Sequence, residues 1–255
     1  MKRSTSFFIM FPVFLFFYAP LAVLVTFSFN DSKYLTSWKG FTWKWYTHLA
    51  SDSRLIDAAI NSLSIAFLAA IFATILGVLA ALAIYRYRFT GRNLLRAMMY
   101  TIMVSPDIVM GVSLLMLFLL LGIAPGFVPL LLAHITFCVP VVATIVLARL
   151  YGFDTSLAEA AEDLGASELQ VLRYVIFPLI WPAVLAGWIL SFTLSMDDVI
   201  VSFFLTGSDY DILPLRIYSM VRLGVKPDVN ALSSLMIGAT IILVFISQFI
   251  MREKK

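Results

Sequence analysis

Three carboxylates, Asp107, Asp197 and Asp198, stand inside stretches otherwise built largely from Leu, Ile, Val, Phe and Met. A carboxylate in such surroundings is costly, and it usually faces a bundle interior or a water-filled route. Read as one helix, SFTLSMDDVIVS places Ser191, Ser195, Asp198 and Ser202 at spacings of 4, 3 and 4, on a single stripe that suits the wall of an aqueous path. Asp197 lies about 100° round from Asp198 and shares a side with Thr193. The plain alternative is a pair of polar residues that pack helices together, one of them protonated. No Lys or Arg lies within the apolar stretches, so these acids have no internal counter-ion. The solute that answers them most economically is a cation. Trp188, Tyr210 and Tyr218, at or beyond the same stretches, could add cation–π attraction.

Asp107 sits in MMYTIMVSPDIVMG. Pro106 has no amide proton and disfavours helix at Ser105, so the helix breaks there. Ser105 as N-cap, Pro106 as first helical residue and Asp107 behind it make a good restart. The break lies roughly 12–15 Å in from the near end of its apolar stretch, at 1.5 Å per residue. Broken helices at that depth are tolerated where they line a cavity or are buried in protein. Asp107 is thus either a cap of the restarted helix or part of the path.

A different acidic cluster occupies EAAEDLGASELQVLRYVIFP, from Glu159 to Pro178. Ser156 and Glu159 form a capping box, and Leu157, Ala160, Ala161 and Leu164 follow the helical apolar period. Gly165 suits the left-handed residue that ends a helix. Ser167 and Gln170 form a second box, Leu169, Leu172, Val175 and Ile176 supply the next apolar face, and Pro178 follows. The pattern predicts helix, glycine turn, helix. The first helix has only about eight residues, and isolated helices below about 12–15 residues are marginal in water. It therefore needs a surface to pack on, either its own bundle and the membrane interface or a soluble partner.

The elements that must hold these residues are membrane helices. Of 255 residues 62% are hydrophobic and 13% charged, with mean hydropathy +0.97. One soluble core could not bury that much apolar surface. Six segments, at about 7–29, 60–84, 97–122, 127–148, 181–206 and 231–251, can each cross a hydrocarbon core of roughly 30 Å. None alternates as a barrel strand would. The fold class is all-α, a polytopic membrane protein forming one transmembrane domain over residues 1–255, with a polar loop at 149–178. The first segment is too long for a signal-peptide core and lacks a small-x-small cleavage site, so it reads as a retained helix.

Lys and Arg set the orientation. With the N-terminus inside, eleven fall on the cytoplasmic side (Lys2, Arg3, Arg86, Arg88, Arg92, Arg96, Arg149, Arg173, Arg252, Lys254, Lys255) and seven opposite (Lys33, Lys39, Lys44, Arg54, Arg216, Arg222, Lys226). Both termini and the 149–178 loop then face the cytoplasm. The net charge of +3 restates this topology and gives no reason to invoke nucleic acid. Cys138 is the single cysteine, which excludes an intrachain disulfide and a cysteine metal cluster, and no metal site is expected. Ala69, Ala73, Gly77 and Ala81 form a small-residue packing face, and Gly122-x-x-x-Gly126 around Pro125 reads as a turn. His48 and His134 have no metal-ligand companions and read as structural. Trp38, Trp43, Trp45 and Tyr46 fall outside the membrane, as an aromatic belt or a docking surface. No G-x-x-x-x-G-K-[ST] phosphate loop is present, so no nucleotide cradle is expected in this chain.

The acidic loop resembles the EAA loop of ABC-importer permeases: Glu159, Ala160, Ala161, Gly165 and Pro178 match, while Val175 and Phe177 stand where Ile and Leu are commoner. SPDIVMGVSLL, HITFCVP, LSFTLSMDDVIVSFFLTG and ILPLRIYSM with GVKPDVNAL extend the likeness over nearly the whole chain, to the PotC-type permease family of spermidine/putrescine importers. The resemblance implies a type I ABC-importer permease fold in the bacterial inner membrane, with the loop as a coupling helix that docks on an ATPase. It implies, as partners, a PotB-like second permease, two PotA-like ATPase subunits that bind ATP and Mg, and a PotD-like periplasmic polyamine-binding protein. The chain itself is then non-catalytic and needs no cofactor of its own. Asp107, Asp197, Asp198, Ser191, Ser195 and Ser202 become the candidate substrate pathway. Another small cationic solute would fit the same acids. A secondary cation transporter would keep them but has no use for a docking helix, and an intramembrane hydrolase would need a serine partner motif that His134 lacks.

The orientation has a direct test. Cysteines replacing Arg92 and Glu162 are expected to label only from the cytoplasmic side of sealed vesicles, and those replacing Lys39 and Lys226 only from the other. Labelling of the Lys39→Cys and Glu162→Cys variants from one side would overturn the topology.

Overall fold

The computed structural model describes residues 3–32, 37–152, 154, 156–208, 210–222 and 227–252. Lys2, Lys33, Lys226, Lys254 and Lys255, which bear on orientation, lie outside them. The helices are α1 (Arg3–Phe27), α2 (Lys44–Ser51), α3 (Ser53–Arg86), α4 (Arg92–Val104), α5 (Asp107–Leu120) and α6 (Phe127–Tyr151). They are followed by α7 (Ser156–Asp163), α8 (Glu168–Val171), α9 (Phe177–Asp197), α10 (Ile200–Leu205), α11 (Leu213–Arg222) and α12 (Pro227–Arg252). Among the described residues the only strand-like pairing is an isolated bridge between Asn30 and Phe41.

Four helical runs are long and apolar enough to cross a membrane: Met10–Phe27, Ser53–Arg86, Phe127–Tyr151 and Glu168–Asp197. A fifth candidate is the pair α4 and α5, bent by 114° at Ser105 and Pro106. The sixth expected segment, 231–251, falls in α12, where most side chains past Gly238 lie outside the described residues, so six spans remains a reading of the sequence. At 1.5 Å per residue, the 34-residue α3 runs about 50 Å, well beyond a hydrocarbon core, so its ends emerge from it.

Residues 1–56 and 216–255 form one compact unit and residues 57–215 another. In the first, α12 packs on both α1 and α2. Its loop turns on Asn30, whose amide group donates to the Ser37 carbonyl and accepts the Lys39 N–H, each at 2.8 Å. The Trp45 indole N–H donates to the Asn30 carbonyl at 2.8 Å, and Trp45 is buried. Trp45 thus turns inward from the group read as an aromatic belt or a docking surface, its indole N–H satisfied by a buried partner. Trp38 and Trp43 do stay exposed.

The second unit is built on close contact. Ala69, Ala73 and Ala81 are fully buried on α3, and Gly77 faces Val142 of α6. Gly187 of α9 meets the same Val142, so that one residue sits in a notch cut by two glycines. In lipid the hydrophobic effect does not drive helices together, and small residues let dispersion contacts do so. Gly122 and Gly126 take positive φ in the turn before α6. The Gly126 N–H bonds the Leu205 carbonyl at 2.8 Å, which ties that turn to the end of α10.

The structure corrects the sequence reading of three helix boundaries. The segment 181–206 is not one helix: α9 stops at Asp197, Asp198 is extended (φ −70°, ψ 125°), and a short α10 follows. Asp198 competes for backbone amides, accepting the N–H of Val201 at 3.3 Å and of Ser202 at 2.8 Å, which is what breaks the helix. In the α4–α5 pair, Ser105 ends α4 and Pro106 is the N-cap of α5, one residue later than its spacing predicts. Finally, Pro178 does not follow the end of a helix. The chain passes from α8 through a π-helical turn (Leu172–Ile176) into α9 with Pro178 at its start, and the widened turn accommodates a residue that lacks an amide proton.

An added Cβ at Gly77 would stand 2.7 Å from the Val142 Cβ. Gly77→Ala is therefore expected to destabilise the protein by about 1–3 kcal/mol. Gly238→Ala, where nothing among the described residues lies within 4 Å of an added Cβ, should be neutral or slightly stabilising. Thermal unfolding of both variants in detergent checks the contrast.

Candidate functional site

The helix breaks at 105–106 and at 198 bring the three intramembrane acids to one place. Asp107 from α5, Asp197 at the end of α9 and Asp198 line a pocket of about 300 Å³, with Ser105, Met110 and Phe137 among the other walls. Asp107 and Asp197 are exposed in it, whereas the Asp198 side chain is only 10% exposed. The first two present free carboxylate surface, and Asp198 is an anchored charge behind them.

The three serines sit elsewhere. Ser191, Ser195 and Ser202 are buried and do not line the pocket, because they turn toward α6. Ser195 and Ser202 meet instead at His134 of α6, the first 2.6 Å from Nδ1 and the second 3.1 Å from Nε2. The Ser202 hydroxyl donates to Asp198 Oδ2 at 2.7 Å, and His134 Nε2 lies 3.7 Å from the same oxygen. These groups have the composition of a hydrolytic triad, which the sequence had not placed near His134. Yet His134 and Ser202 are fully buried and Ser195 is 4% exposed, so a scissile bond cannot reach them. The Ser191 hydroxyl has no partner among the described residues, and its carbonyl accepts the Cys138 thiol at 3.5 Å.

The aromatic residues expected near the acids are also displaced. Trp188 packs on Phe67 and Phe192, and Tyr210 packs on Phe127 with its hydroxyl donating to the Asn61 carbonyl at 3.3 Å. Tyr218 lies on α11. The pocket's ring is Phe137, three residues from His134 on α6, and nothing in its local sequence marked it.

Within the acidic loop, all residues from Ser156 to Pro178 are described. There α7 begins at the serine instead of being capped by it, and Asp154 supplies the cap by accepting the Ser156 N–H at 3.0 Å. Bonds from the Ser156 hydroxyl and amide hold the Asp154 carboxyl below its usual pKa. Gly165 has φ +85°, with Ala166 N–H on the Ala161 carbonyl (3.0 Å) and Gly165 N–H on the Glu162 carbonyl (2.9 Å), a Schellman ending. Ser167 and Gln170 form the second capping box, the Ser167 N–H reaching Gln170 Oε1 at 2.7 Å.

The packed face of α7 differs from the expected one. Ala158 and Ala161 lean on the core, while Leu157 (50% exposed), Glu159, Ala160 and Leu164 (90% exposed) point away. What fixes this roll is Arg86 at the end of α3, which sequence reasoning used only for orientation. Its guanidinium donates to Glu162 at 2.8 Å and to Glu168 at 3.0 Å, holding both sides of the glycine turn. The Tyr87 phenol donates to Glu168 at 2.7 Å, a bond that raises the phenol's pKa. A basic residue and a tyrosine just where a long span meets water were the available signal.

A family described as binding-protein-dependent transport system inner membrane component matches residues 73–252. The chain is 54% identical over 244 residues to the spermidine/putrescine transport system permease protein PotC of Haemophilus influenzae, covering 96% of this chain and 95% of that protein. It is 42% identical over 245 residues to the putrescine transport system permease protein PotI of Escherichia coli K12, covering 93% and 87%. A solved chain of a bacterial ABC transporter involved in alginate import shares the fold, with TM-score 0.76 at 18% identity, covering 97% of this chain and 98% of that one.

Both carboxylates on Arg86 are about half exposed, where an ion pair contributes about 0.2–1 kcal/mol. Arg86→Gln is therefore expected to speed hydrogen exchange of the α7 and α8 amides by about two- to fivefold without unfolding the bundle. Unchanged exchange there would mean that the alanine face alone positions the loop.

Proposed function

The chain belongs to the family of binding-protein-dependent transport system inner membrane components, and we propose that it carries polyamines such as spermidine and putrescine across the bacterial inner membrane. It is a multi-pass, non-catalytic permease subunit of an ABC importer. The observation that carries the substrate reading is the set of three carboxylates around one pocket inside helices solvated by lipid. A polyamine brings two or three positive charges and so supplies the counter-ions that the pocket lacks. Asp107 and Asp197 meet the amine groups, Asp198 adds fixed negative potential, and Phe137 offers an aromatic face to the cation. The names of the PotC and PotI relatives agree with this chemistry.

On this reading the loop at 149–178 faces the cytoplasm, as do both termini. Glu159, Ala160, Ala161, Gly165 and Pro178 belong to the coupling loop. The outward Leu157 and Leu164 supply apolar surface for an ATPase groove, and Glu159 supplies orientation. Gly165 allows the two halves of the loop to meet at a tight turn. The partners are a PotB-like second permease, two PotA-like ATPases holding ATP and Mg, and a PotD-like periplasmic binding protein.

Uptake of labelled spermidine and putrescine by the complex reconstituted in proteoliposomes tests this. Asp197→Asn and Asp107→Asn are each expected to reduce uptake at least about tenfold, the scale of one charge-assisted contact. Association with the ATPase should be unchanged. Both variants transporting polyamines like the parent would refute the pocket as the route, and uptake without ATP would refute the coupling.

A further inference from the structure

His134 is fully buried, yet both its ring nitrogens are engaged, on helices that flank the break beside the pocket. The directions of these bonds follow from counting protons. Asp198 Oδ2 accepts from the Ser202 hydroxyl at 2.7 Å, which uses that hydroxyl's single proton. Ser202 Oγ can then only accept from His134 at 3.1 Å, so Nε2 carries a proton. A neutral imidazole protonated there has an acceptor at Nδ1, to which the Ser195 hydroxyl donates at 2.6 Å. One tautomer satisfies every contact, and every donor points the same way: Ser195 to His134, His134 to Ser202, Ser202 to Asp198.

We propose that His134 is a positioning residue for cation binding, holding Asp198 as a fixed anion through the Ser202 hydroxyl. This rests on the reading of the pocket as the polyamine route. Asp198 Oδ2 takes both the amide and the hydroxyl of Ser202, and Oδ1 takes the Val201 amide, so its carboxylate cannot swing. Part of its orientation is set from behind, by the buried Ser202 and His134, which do not line the pocket. Among groups near Asp198, Asp107 and Asp197 line the same pocket and repel it, so its negative charge needs donors on the far side. His134 supplies them indirectly. At 3.7 Å it is too far for its own hydrogen bond to Asp198, and the serine closes the gap. A polar side chain would earn its place in this buried position by keeping that anion ready for a cation.

The test uses the whole reconstituted importer with labelled spermidine. Ser202→Ala removes the donor while leaving the fold's volume nearly intact, and it is expected to raise KM about tenfold, the scale of a hydrogen bond to a charged group. Maximal rate and association with the ATPase should stay within about twofold of the parent, below the scale of one lost hydrogen bond. His134→Met, which breaks the chain, should raise KM similarly. His134→Gln, whose amide keeps one donor and one acceptor, should recover much of the loss. In an Asp198→Asn background, Ser202→Ala should add nothing to KM, because the charge it serves is gone. A parent-like KM in Ser202→Ala, or a full additional loss in the double variant, overturns the proposal even if Asp198→Asn is impaired. If His134→Met fails to assemble, the Ser202→Ala pair still decides. Asp198→Asn transporting like the parent would instead overturn the pathway reading beneath it.

Discussion

A carboxylate surrounded by lipid-solvated helices must be answered by hydrogen bonds, by water or by a cation, and much of the second unit follows from how Asp198 is answered. Its oxygens take the amides of Val201 and Ser202, and that competition ends α9 and starts α10. Backbone groups freed at such a break would be costly in hydrocarbon. Here the side chain that makes the break also satisfies part of it, and Ser202 and His134 extend the support into the body of α6. The break leaves Asp197 exposed in the same pocket as Asp107, whose own helix restarts beside Pro106. Two discontinuities with different chemical causes thus produce a single concentration of negative charge.

The other polar concentration obeys the rules of water. Around Arg86 the ion pairs are about half exposed, so their individual strength is modest. Their value is geometric: one guanidinium reaches acids before and after Gly165, so the turn cannot open without losing a contact. Because Ala158 and Ala161 take the packed side, Leu157 and Leu164 remain outward. Small side chains inward and large ones outward is the reverse of a helix that merely covers its own bundle. That outward apolar surface is what the proposed docking on an ATPase would use.

Close packing joins these two regions within the unit. Val142 on α6 is gripped between Gly77 and Gly187, and His134 lies eight residues, about two turns, earlier on the same helix. A helix so tightly registered can present an imidazole to two serines at hydrogen-bond distance. Loose packing in lipid would leave those polar groups unpaired.

The sequence by itself determined the class of fold, because apolar runs of about 20 residues have few other stable solutions. It determined the break at Pro106 and the turn at Gly165 for equally local reasons: a missing amide proton and a backbone angle that glycine tolerates. It also marked the three intramembrane acids, since charge in an apolar stretch is legible without coordinates. Only the tertiary structure decided which polar groups meet. A regular helix drawn through residues 191–202 puts Ser191, Ser195, Asp198 and Ser202 on the wall of an open path, but Asp198 takes the amides ahead of it and ends the helix, and the serines are buried against α6 instead of lining the pocket. His134 and Arg86 acquire their places from residues 60 or more positions away in the chain, and Phe137 from the acids of two other helices, at distances no local period encodes. Hydrogen bonding across helices is a property of packing, and packing is decided jointly by side chains that are remote in sequence.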